Sequence, residues 1–313
     1  MAKYSILITD GLEENGKAIL REMADVQDRA GISPEELLTA VAGCQAIVVR
    51  GRTRVTAAVT EAGSSLKVIG RAGVGVDNID LEAARKRGIT VVNAPTSTTG
   101  AVAELAFGLL LALAREIPRA DAAMKQGRWL KKELEGVELA GKTLGVIGYG
   151  RIGKDLGKRA AAFGMNTITY DPFVQEESIR AGGAESVSLQ DLLAWSDFIS
   201  LHLPFDVQTR DLIGPQAISQ MKDGVRIICA ARGGIIDEAA LLAALNSGKI
   251  AGAALDVFTT EPPGATPLVM HPKVIATPHI GAQTAEAQAR ASEDIAIEVL
   301  AALQGKPLRW KIA

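Results

Sequence analysis

Residues 144–153 have the sequence LGVIGYGRIG, which is the most informative segment of the chain about its fold. Its apolar start up to Ile147 predicts a buried strand, and the residues from Arg151 onward predict a helix. Between them, Gly148, Gly150 and Gly153 follow the spacing G-x-G-x-x-G. A strand that turns into a helix through such glycines is the first unit of a doubly wound parallel sheet.

The same glycine-rich turn is typical of a dinucleotide-binding loop. Gly148 permits the tight turn, Gly150 lets a pyrophosphate approach the backbone, and Gly153 allows close packing of helix on strand. Asp171 ends the next predicted strand, roughly twenty residues further on, where a carboxylate binds ribose hydroxyls and repels a 2′-phosphate. We therefore predict NAD, not NADP, as the cofactor. The alternative is a structural turn that binds no nucleotide.

Strands and helices alternate along the whole chain, which predicts an α/β protein with parallel sheets. The first part carries predicted strands at Ser5–Thr9, Ala46–Val49 and Leu66–Gly70, and a further one that ends at Asn93. Six more strands follow Lys142: residues 142–148, 166–171, 198–203, 225–230, 253–257 and 274–277.

A long apolar helix, running from near Thr96 toward Ile117, separates the two series of strands, and a second helix, Ala285–Leu303, follows the last strand. We therefore predict two doubly wound parallel-sheet domains. A Rossmann NAD-binding domain, residues 97–282, is inserted into a discontinuous flavodoxin-like substrate-binding domain made of residues 1–96 and 283–313.

Composition limits the classes of function. The chain has 313 residues, enough for about two domains, with 48% hydrophobic and 22% charged residues. A net charge of −2 gives no basic field for nucleic acid. The two cysteines, Cys44 and Cys229, indicate neither a disulfide framework nor a metal site, and they fit a reducing cytoplasm. The N-terminus lacks the pattern of a signal peptide, and the apolar stretch Ala101–Ala114 is too short to span a membrane. We expect a cytoplasmic protein.

Three residues at predicted strand ends are candidates for proton and substrate chemistry. Arg232 follows an apolar strand, where parallel sheets bind their ligands, although an arginine there can also simply pair with a carboxylate. His279 has a side chain suited to general acid–base catalysis near neutral pH, and Glu261 can orient it. Hydride transfer from a hydroxyl-bearing carbon needs such a base together with a cation at the substrate carboxylate.

Two loops of the first part are candidates for anion binding. Arg50 and Arg52 follow a predicted strand and either bind a phosphate or lie solvated in a turn. The segment Gly73–Gly75 follows another strand but has Asn78 where a third glycine belongs, so we assign no nucleotide to it. Its amides either form an anion-binding nest or a structural turn.

Several segments in this order and spacing resemble the D-isomer-specific 2-hydroxyacid dehydrogenase family, and particularly its 3-phosphoglycerate dehydrogenase branch. They are Arg71–Asn78, Gly141–Gly145, Ala230–Gly234 and Ala253–Phe258. The resemblance covers nearly the whole chain. Two places depart from the common pattern of the branch, namely Phe205-Asp206 and Gly51.

The resemblance implies roles for individual residues. Arg232 would bind the substrate carboxylate and carbonyl oxygen, His279 would be the general base during oxidation, and Glu261 would hold His279. The implied cofactor-binding residues are Gly148, Tyr149, Gly150, Arg151, Ile152, Gly153, Asp171, Pro172, His202, Pro204, Ala230, Asp256 and Gly281. The implied substrate-binding residues are Arg50, Arg52, Arg71, Ala72, Gly73, Val74, Gly75 and Arg232.

The function implied is NAD-dependent oxidation of D-3-phosphoglycerate to 3-phosphohydroxypyruvate, a step of L-serine biosynthesis, by a homodimer that associates through the NAD-binding domain. Since the chain ends at Ala313, a short form without the family's C-terminal regulatory domain is expected. A glyoxylate or hydroxypyruvate reductase, or another D-2-hydroxyacid dehydrogenase, would keep the same catalytic residues. An NAD-responsive module like the C-terminal-binding-protein corepressors is a further alternative of a different class.

Overall fold

The computed structural model describes residues 3–313 and divides them into two units. Unit 1 comprises the chain up to Thr98 together with Ala282–Ala313, and unit 2 comprises Thr99–Gly281. The domain boundaries predicted above lay after residues 96 and 282. Residues 1 and 2, with which the first predicted segment begins, lie outside the described residues.

Unit 1 is built on a parallel sheet of five strands in the order β2-β1-β3-β4-β5. The strands are β1 (Tyr4–Ile8), β2 (Ala24–Asp28), β3 (Ala46–Val49), β4 (Val68–Arg71) and β5 (Thr90–Asn93). The helices between them are α1 (Glu14–Arg21), α2 (Pro34–Ala40), α3 (Ala57–Ala62) and α4 (Leu81–Lys86). All four residues of β3 are buried, as expected for a strand covered on both faces.

Unit 2 contains a parallel sheet of seven strands in the order β12-β11-β10-β9-β6-β7-β8. The strands are β6 (Thr143–Ile147), β7 (Asn166–Tyr170), β8 (Glu185–Ser186), β9 (Phe198–Leu201), β10 (Val225–Cys229), β11 (Ile250–Leu255) and β12 (Val274–Ala276). The helices are α5 (Thr99–Arg115), α6 (Ile117–Lys125), α7 (Arg151–Ala162), α8 (Glu176–Ala181), α9 (Leu189–Trp195), α10 (Pro215–Gln220) and α11 (Glu238–Ser247). The strand order reverses between β6 and β9, which is where doubly wound sheets bind ligands.

The last helix, α12 (Ala285–Leu303), packs on α1 and on strands of the unit 1 sheet. Gly16 of α1 makes this approach possible, because a Cβ there would lie 2.4 Å from the carbonyl oxygen of Ser292. Unit 1 is therefore completed by a segment distant in sequence. Within residues 3–313, none of the helices combines the length and apolar character needed to cross a bilayer.

The predicted fold class, two doubly wound parallel sheets, is confirmed. The predicted count of six strands in the second series is wrong, because the edge strand β8 consists of only Glu185–Ser186 and has no apolar run to reveal it. The predicted helix running to Ile117 ends at Arg115. Glu116 has a left-handed φ of 50°, and α6 then begins at Ile117.

Candidate active site

Every functional residue predicted in unit 2 follows the carboxyl end of a strand of the seven-stranded sheet. Because parallel strands all end at the same edge of the sheet, these loops share one edge. The residues are Gly148–Gly153 after β6, Asp171 and Pro172 after β7, His202 and Pro204 after β9, Ala230 and Arg232 after β10, Asp256 and Glu261 after β11, and His279 and Gly281 after β12.

The glycine-rich turn has the geometry that a pyrophosphate needs. Gly148 adopts a left-handed φ of 92°, and a Cβ on Gly153 would lie 2.2 Å from the carbonyl oxygen of Gly148. Gly150 is the N-cap of α7, and apart from its chain neighbours no described residue lies within 4 Å of the place where its Cβ would be. The first amides of α7, Arg151 and Ile152 among them, have no intrahelical acceptor and can bind an anion.

Asp171 lies against the glycine-rich turn. Its Oδ2 accepts a hydrogen bond of 2.8 Å from the backbone N–H of Tyr149, and its Oδ1 accepts one of 2.9 Å from the N–H of Phe173. Each carboxylate oxygen can accept a further hydrogen bond, for instance from a ribose hydroxyl. Sequence reasoning missed Phe173, an aromatic side chain that is 85% exposed beside this acceptor. Its position directly after Asp171-Pro172 in the sequence could have indicated that it lies beside the predicted ribose-binding carboxylate.

His279 and Glu261 form a direct pair. Nδ1 of His279 lies 2.7 Å from Oε2 of Glu261, while Oε1 of Glu261 accepts a hydrogen bond from the N–H of Phe258. The His279 side chain is 50% exposed, and its Nε2 makes no hydrogen bond within the described part of the chain. The histidine also has a left-handed φ of 54°, a conformation uncommon for residues with a side chain. Nε2 is thus the ring nitrogen available to a substrate.

The charge of Glu261 is maintained by its neighbours. Burial alone would raise the pKa of its carboxyl group. Hydrogen bonds from His279 and from the Phe258 amide have the opposite effect, as do the positive charges of His279 and Arg232. Together they lower the pKa of Glu261. The carboxylate therefore stays ionised at neutral pH. An ionised carboxylate fixes the orientation of the imidazole and stabilises its protonated form.

Asp256 holds the loop that carries His279. Its buried carboxylate, 1% exposed, accepts hydrogen bonds of 2.6 Å from Oγ1 of Thr277 and of 2.8 Å from the N–H groups of Ile280 and Gly281. The carboxylate therefore fixes the chain on both sides of the histidine. Its assignment as a cofactor contact stays a prediction, since all three of these partners belong to the chain.

Arg232 lies on a loop that packs tightly against the segment leading to Glu261. A Cβ on Gly233 would lie 1.9 Å from the carbonyl oxygen of Phe258, the residue whose N–H binds Glu261. Nη1 of Arg232 donates a hydrogen bond of 2.7 Å to the carbonyl of Ala231. The structure therefore brings Arg232, Glu261 and His279 together in unit 2, close enough for the charge of Arg232 to lower the pKa of Glu261.

His202 is partly buried and lies beside the glycine-rich turn. Its Nε2 lies 2.9 Å from Oγ of Ser200, whereas its buried Nδ1 has no hydrogen-bond partner in the part of the chain that the structure describes. Burial lowers the pKa of His202 to about 4, so the ring is neutral at physiological pH. A Cβ on Gly148 would lie 2.5 Å from the carbonyl oxygen of His202, which shows how closely the two loops pack.

In unit 1, Arg50 and Arg52 follow β3 at the carboxyl edge of the five-stranded sheet. The Arg50 guanidinium is partly buried, and burial lowers its pKa against the opposing effect of Glu13 and Asp10. Its Nη2 lies 3.4 Å from Oγ of Ser292, and its buried Nε has no hydrogen-bond partner among residues 3–313. Arg52 is more exposed. A partly buried cation with an unused donor is a favourable place for an anion.

The loop after β4 lies at the same edge of the unit 1 sheet, since Val49 of β3 pairs with Arg71. Gly73 has a φ of 145°, and Nη1 of Arg71 occupies the space where a Cβ of Gly73 would lie. The backbone N–H groups of Val74 and Gly75 donate no hydrogen bond within residues 3–313. Ala72 is different, because its N–H donates to the carbonyl of Val49. Two successive amides are therefore available for an anionic group, as in a nest.

Comparison with known proteins gives a consistent result. Residues 107–281 match the model of the family described as D-isomer specific 2-hydroxyacid dehydrogenase, NAD binding domain. The chain is 50% identical over 302 residues to D-3-phosphoglycerate dehydrogenase of Methanocaldococcus jannaschii, covering 96% of this chain and 58% of that protein. It is 46% identical over 304 residues to D-3-phosphoglycerate dehydrogenase of Rattus norvegicus, covering 97% and 57%. The chain thus spans little more than half the length of these relatives.

Solved structures of similar fold match over almost their whole length. The TT0316 protein of Thermus thermophilus has a TM-score of 0.91 at 35% identity, with 99% of this chain and 100% of that chain covered. A glyoxylate reductase from Paecilomyes thermophila has a TM-score of 0.91 at 31% identity, covering 100% and 99%. A D-lactate dehydrogenase from Aquifex aeolicus, complexed with NAD and lactic acid, has a TM-score of 0.84 at 32% identity, covering 96% of each chain.

Proposed function

Because this chain belongs to the D-isomer specific 2-hydroxyacid dehydrogenase family, whose NAD-binding domain matches residues 107–281, we propose that it oxidises D-3-phosphoglycerate to 3-phosphohydroxypyruvate, a step of L-serine biosynthesis. The main support for this reaction is the hydrogen-bonded pair of His279 and Glu261. Nε2 of the histidine is available to a substrate, and Arg232 lies nearby. The names of the similar dehydrogenases support the choice of substrate.

When bound, NAD⁺ would supply the acceptor for the hydride that leaves the carbon bearing the hydroxyl. The residues of unit 2 suit this cofactor, because Gly150 leaves open space beside the N-terminus of α7 and Asp171 presents a carboxylate beside the same turn. Tyr149, Pro172, Pro204, Ala230 and Gly281 are further proposed contacts. The Asp171 carboxylate would repel a 2′-phosphate, which favours NAD over NADP.

The proton of the substrate hydroxyl passes to Nε2 of His279 while the hydride leaves the same carbon. Charge then develops on the imidazole, and the ionised Glu261 at Nδ1 stabilises it. Arg232 donates hydrogen bonds to the substrate carboxylate and to the oxygen that becomes the carbonyl. In the reverse direction, protonated His279 acts as the acid and returns the proton to that oxygen.

The phosphate of the substrate is assigned to Arg50 and Arg52. The buried Nε of Arg50, which lacks a hydrogen-bond partner among the described residues, supports this assignment, because a phosphate oxygen would accept its hydrogen bond. The amides of Val74 and Gly75 are assigned to the substrate carboxylate, with Ala72, Gly73 and Arg71 shaping the loop.

We also propose that the protein is a homodimer associated through unit 2, and that it acts in the cytoplasm. Ile117, Met124 and Trp129, on and after α6, are large apolar side chains that are more than half exposed, as at a surface covered by a second copy. Cys44 and Cys229 are buried free thiols, which suits a reducing compartment. Sedimentation of the NAD-bound protein should give the mass of two chains, and a single-chain mass would contradict the dimer.

A glyoxylate or hydroxypyruvate reductase is the second candidate, favoured by the similarity to the Paecilomyes thermophila enzyme over essentially the whole chain. A screen of D- and L-2-hydroxy acids and their keto acids, phosphorylated and not, with NAD(H) and NADP(H), separates the two. We expect the highest kcat/KM with D-3-phosphoglycerate or 3-phosphohydroxypyruvate and NAD(H). Preference for glyoxylate or hydroxypyruvate would favour the second candidate, and no activity with any substrate would contradict both.

A further inference from the structure

Residues 50–53, here called the arginine loop, form hydrogen bonds with the carboxylate of Asp10. The sequence did not single out Asp10. Asp10 follows β1, and its side chain is only 4% exposed. One oxygen accepts hydrogen bonds from the backbone N–H groups of Arg50, at 2.8 Å, and Thr53, at 3.0 Å. The other accepts one of 2.5 Å from Oγ1 of Thr53 and lies 3.5 Å from Nε of Arg52. Asp10 therefore binds the loop at both ends.

Asn78 binds the carbonyl groups of the same loop. Nδ2 of Asn78 donates hydrogen bonds to the carbonyl oxygens of Arg50, at 2.9 Å, and Thr53, at 2.6 Å. The backbone oxygen of Asn78 accepts a hydrogen bond of 2.8 Å from the N–H of Val55, which continues the attachment past the loop. The carboxylate engages the N–H groups of Arg50 and Thr53, and the amide engages their C=O groups.

We propose that Asp10 and Asn78 are positioning residues that hold Arg50 and Arg52 in the conformation that binds the substrate phosphate; this inference rests on the function proposed above. An arginine side chain has several rotatable bonds, so an unfixed backbone beneath it would add to the entropy lost on binding. Holding the peptide groups of Arg50 and Thr53 from two directions fixes where both arginine side chains begin. Binding specificity for phosphate then depends on residues that do not touch the phosphate.

The test compares Asn78→Ala and Asp10→Asn with wild type, using 3-phosphohydroxypyruvate, hydroxypyruvate and NADH. We expect each variant to raise the KM for 3-phosphohydroxypyruvate on the order of tenfold, the effect of losing one or two hydrogen bonds. The kcat for both substrates and the KM for hydroxypyruvate should stay within about twofold of wild type, since neither residue belongs to the catalytic pair.

Asn15→Ala is the matched control. The Asn15 amide likewise donates to a backbone carbonyl in unit 1, that of Ala289, and it makes no hydrogen bond to residues 50–53 within the described part of the chain. We expect both KM values of this variant to match those of wild type. If Asn78→Ala raises the two KM values equally, or lowers kcat as much as it raises the KM, the residue merely supports the fold and the proposal is overturned.

A double-mutant cycle separates this inference from the proposed function. In a protein that already carries Arg50→Ala and Arg52→Ala, adding Asn78→Ala should change the KM for 3-phosphohydroxypyruvate by less than about twofold, since no guanidinium is left to position. An undiminished effect would overturn the inference. If the arginine double variant discriminates between the two substrates as wild type does, the proposed phosphate site itself is wrong. If neither Asn78→Ala nor Asp10→Asn folds, as judged by thermal melting, the bonds are structural and the inference fails.

Discussion

Glu261 binds Nδ1 of His279 at 2.7 Å and leaves Nε2, the opposite ring nitrogen, available for proton transfer. His279→Asn removes the proposed base and should lower kcat roughly 10²- to 10⁴-fold, the usual contribution of a positioned general base. NADH affinity should be unchanged, because the base acts on the hydroxyl proton of the substrate and not on the cofactor. Fluorescence titration with NADH, beside steady-state kinetics, checks both expectations. A large loss of NADH affinity would mean that His279 supports the cofactor site.

Glu261→Gln should move the acid limb of the pH profile for oxidation toward lower pH. The pKa of Glu261 is lowered in the folded protein despite its partial burial, so its carboxylate is ionised at neutral pH and stabilises positive charge on the imidazole. A neutral amide removes the negative charge beside Nδ1, so the acid limb should lie at lower pH. The profile of kcat/KM against pH measures the shift. An unchanged profile would contradict the proposed role of Glu261.

Substitution of alanine for two glycines of the nucleotide loop should have different effects, a loss of stability at Gly153 and a loss of NADH affinity at Gly150. Gly153→Ala would place a Cβ 2.2 Å from a backbone oxygen and should lower the free energy of unfolding by about 1 to 3 kcal/mol, the usual cost of overpacking. Gly150→Ala finds open space and a negative φ, so the protein should melt as wild type does. Its NADH affinity should nevertheless fall at least tenfold, because the methyl group lies where the pyrophosphate approaches. Tight NADH binding by Gly150→Ala would place the cofactor elsewhere.

Asp171 should determine the choice between NADH and NADPH. Asp171→Ser combined with Pro172→Arg should weaken NADH binding roughly ten- to a hundredfold, because hydrogen bonds to a charged group are lost, and should strengthen NADPH binding. Asp171→Asn is the control for the structural role of the side chain. It removes the negative charge, but its amide oxygen can still accept one of the two backbone hydrogen bonds that the carboxylate accepts. Dissociation constants for the two nucleotides decide the matter. Equal affinity of the wild-type protein for both would contradict the assignment.

His202 should make the stability of the protein depend on pH. Its pKa is lowered from 6.5 to about 4 by burial, so below pH 6.5 the unfolded chain takes up a proton that the folded protein takes up only near pH 4. Stability should therefore fall as the pH falls from 6.5 to 4, by about 3 kcal/mol in total at an order-of-magnitude level. In His202→Gln, which keeps a nitrogen for Ser200, urea unfolding should show a weaker dependence over this range. An identical dependence would show that other groups cause the loss.

Much of the fold was predictable because the strands of these sheets are short apolar runs. Helix α12 was predicted to the residue, and β3, with its sequence Ala-Ile-Val-Val, as well. β2 was not, because Ala24–Asp28 is an edge strand with two aspartates and mostly exposed residues, so its backbone pairing with β1 leaves no periodic pattern.

The sequence could predict that Glu261 orients His279, because residues at the strand ends of a parallel sheet share one edge. The bonds of Asp10 and Asn78 to the arginine loop were not predictable. They join three loops that are separated along the chain, and each residue viewed alone resembles an ordinary turn residue.

Kinetics of Arg50→Ala with phosphorylated and unphosphorylated substrates show directly whether the substrate carries a phosphate. We predict that the KM for 3-phosphohydroxypyruvate rises roughly ten- to a hundredfold, the cost of a lost charge-assisted hydrogen bond. The KM for unphosphorylated hydroxypyruvate should stay within about twofold, and Arg52→Ala should behave in the same way. Equal losses on both substrates, or no loss on either, would contradict the assignment of a phosphorylated 2-hydroxy acid as the substrate.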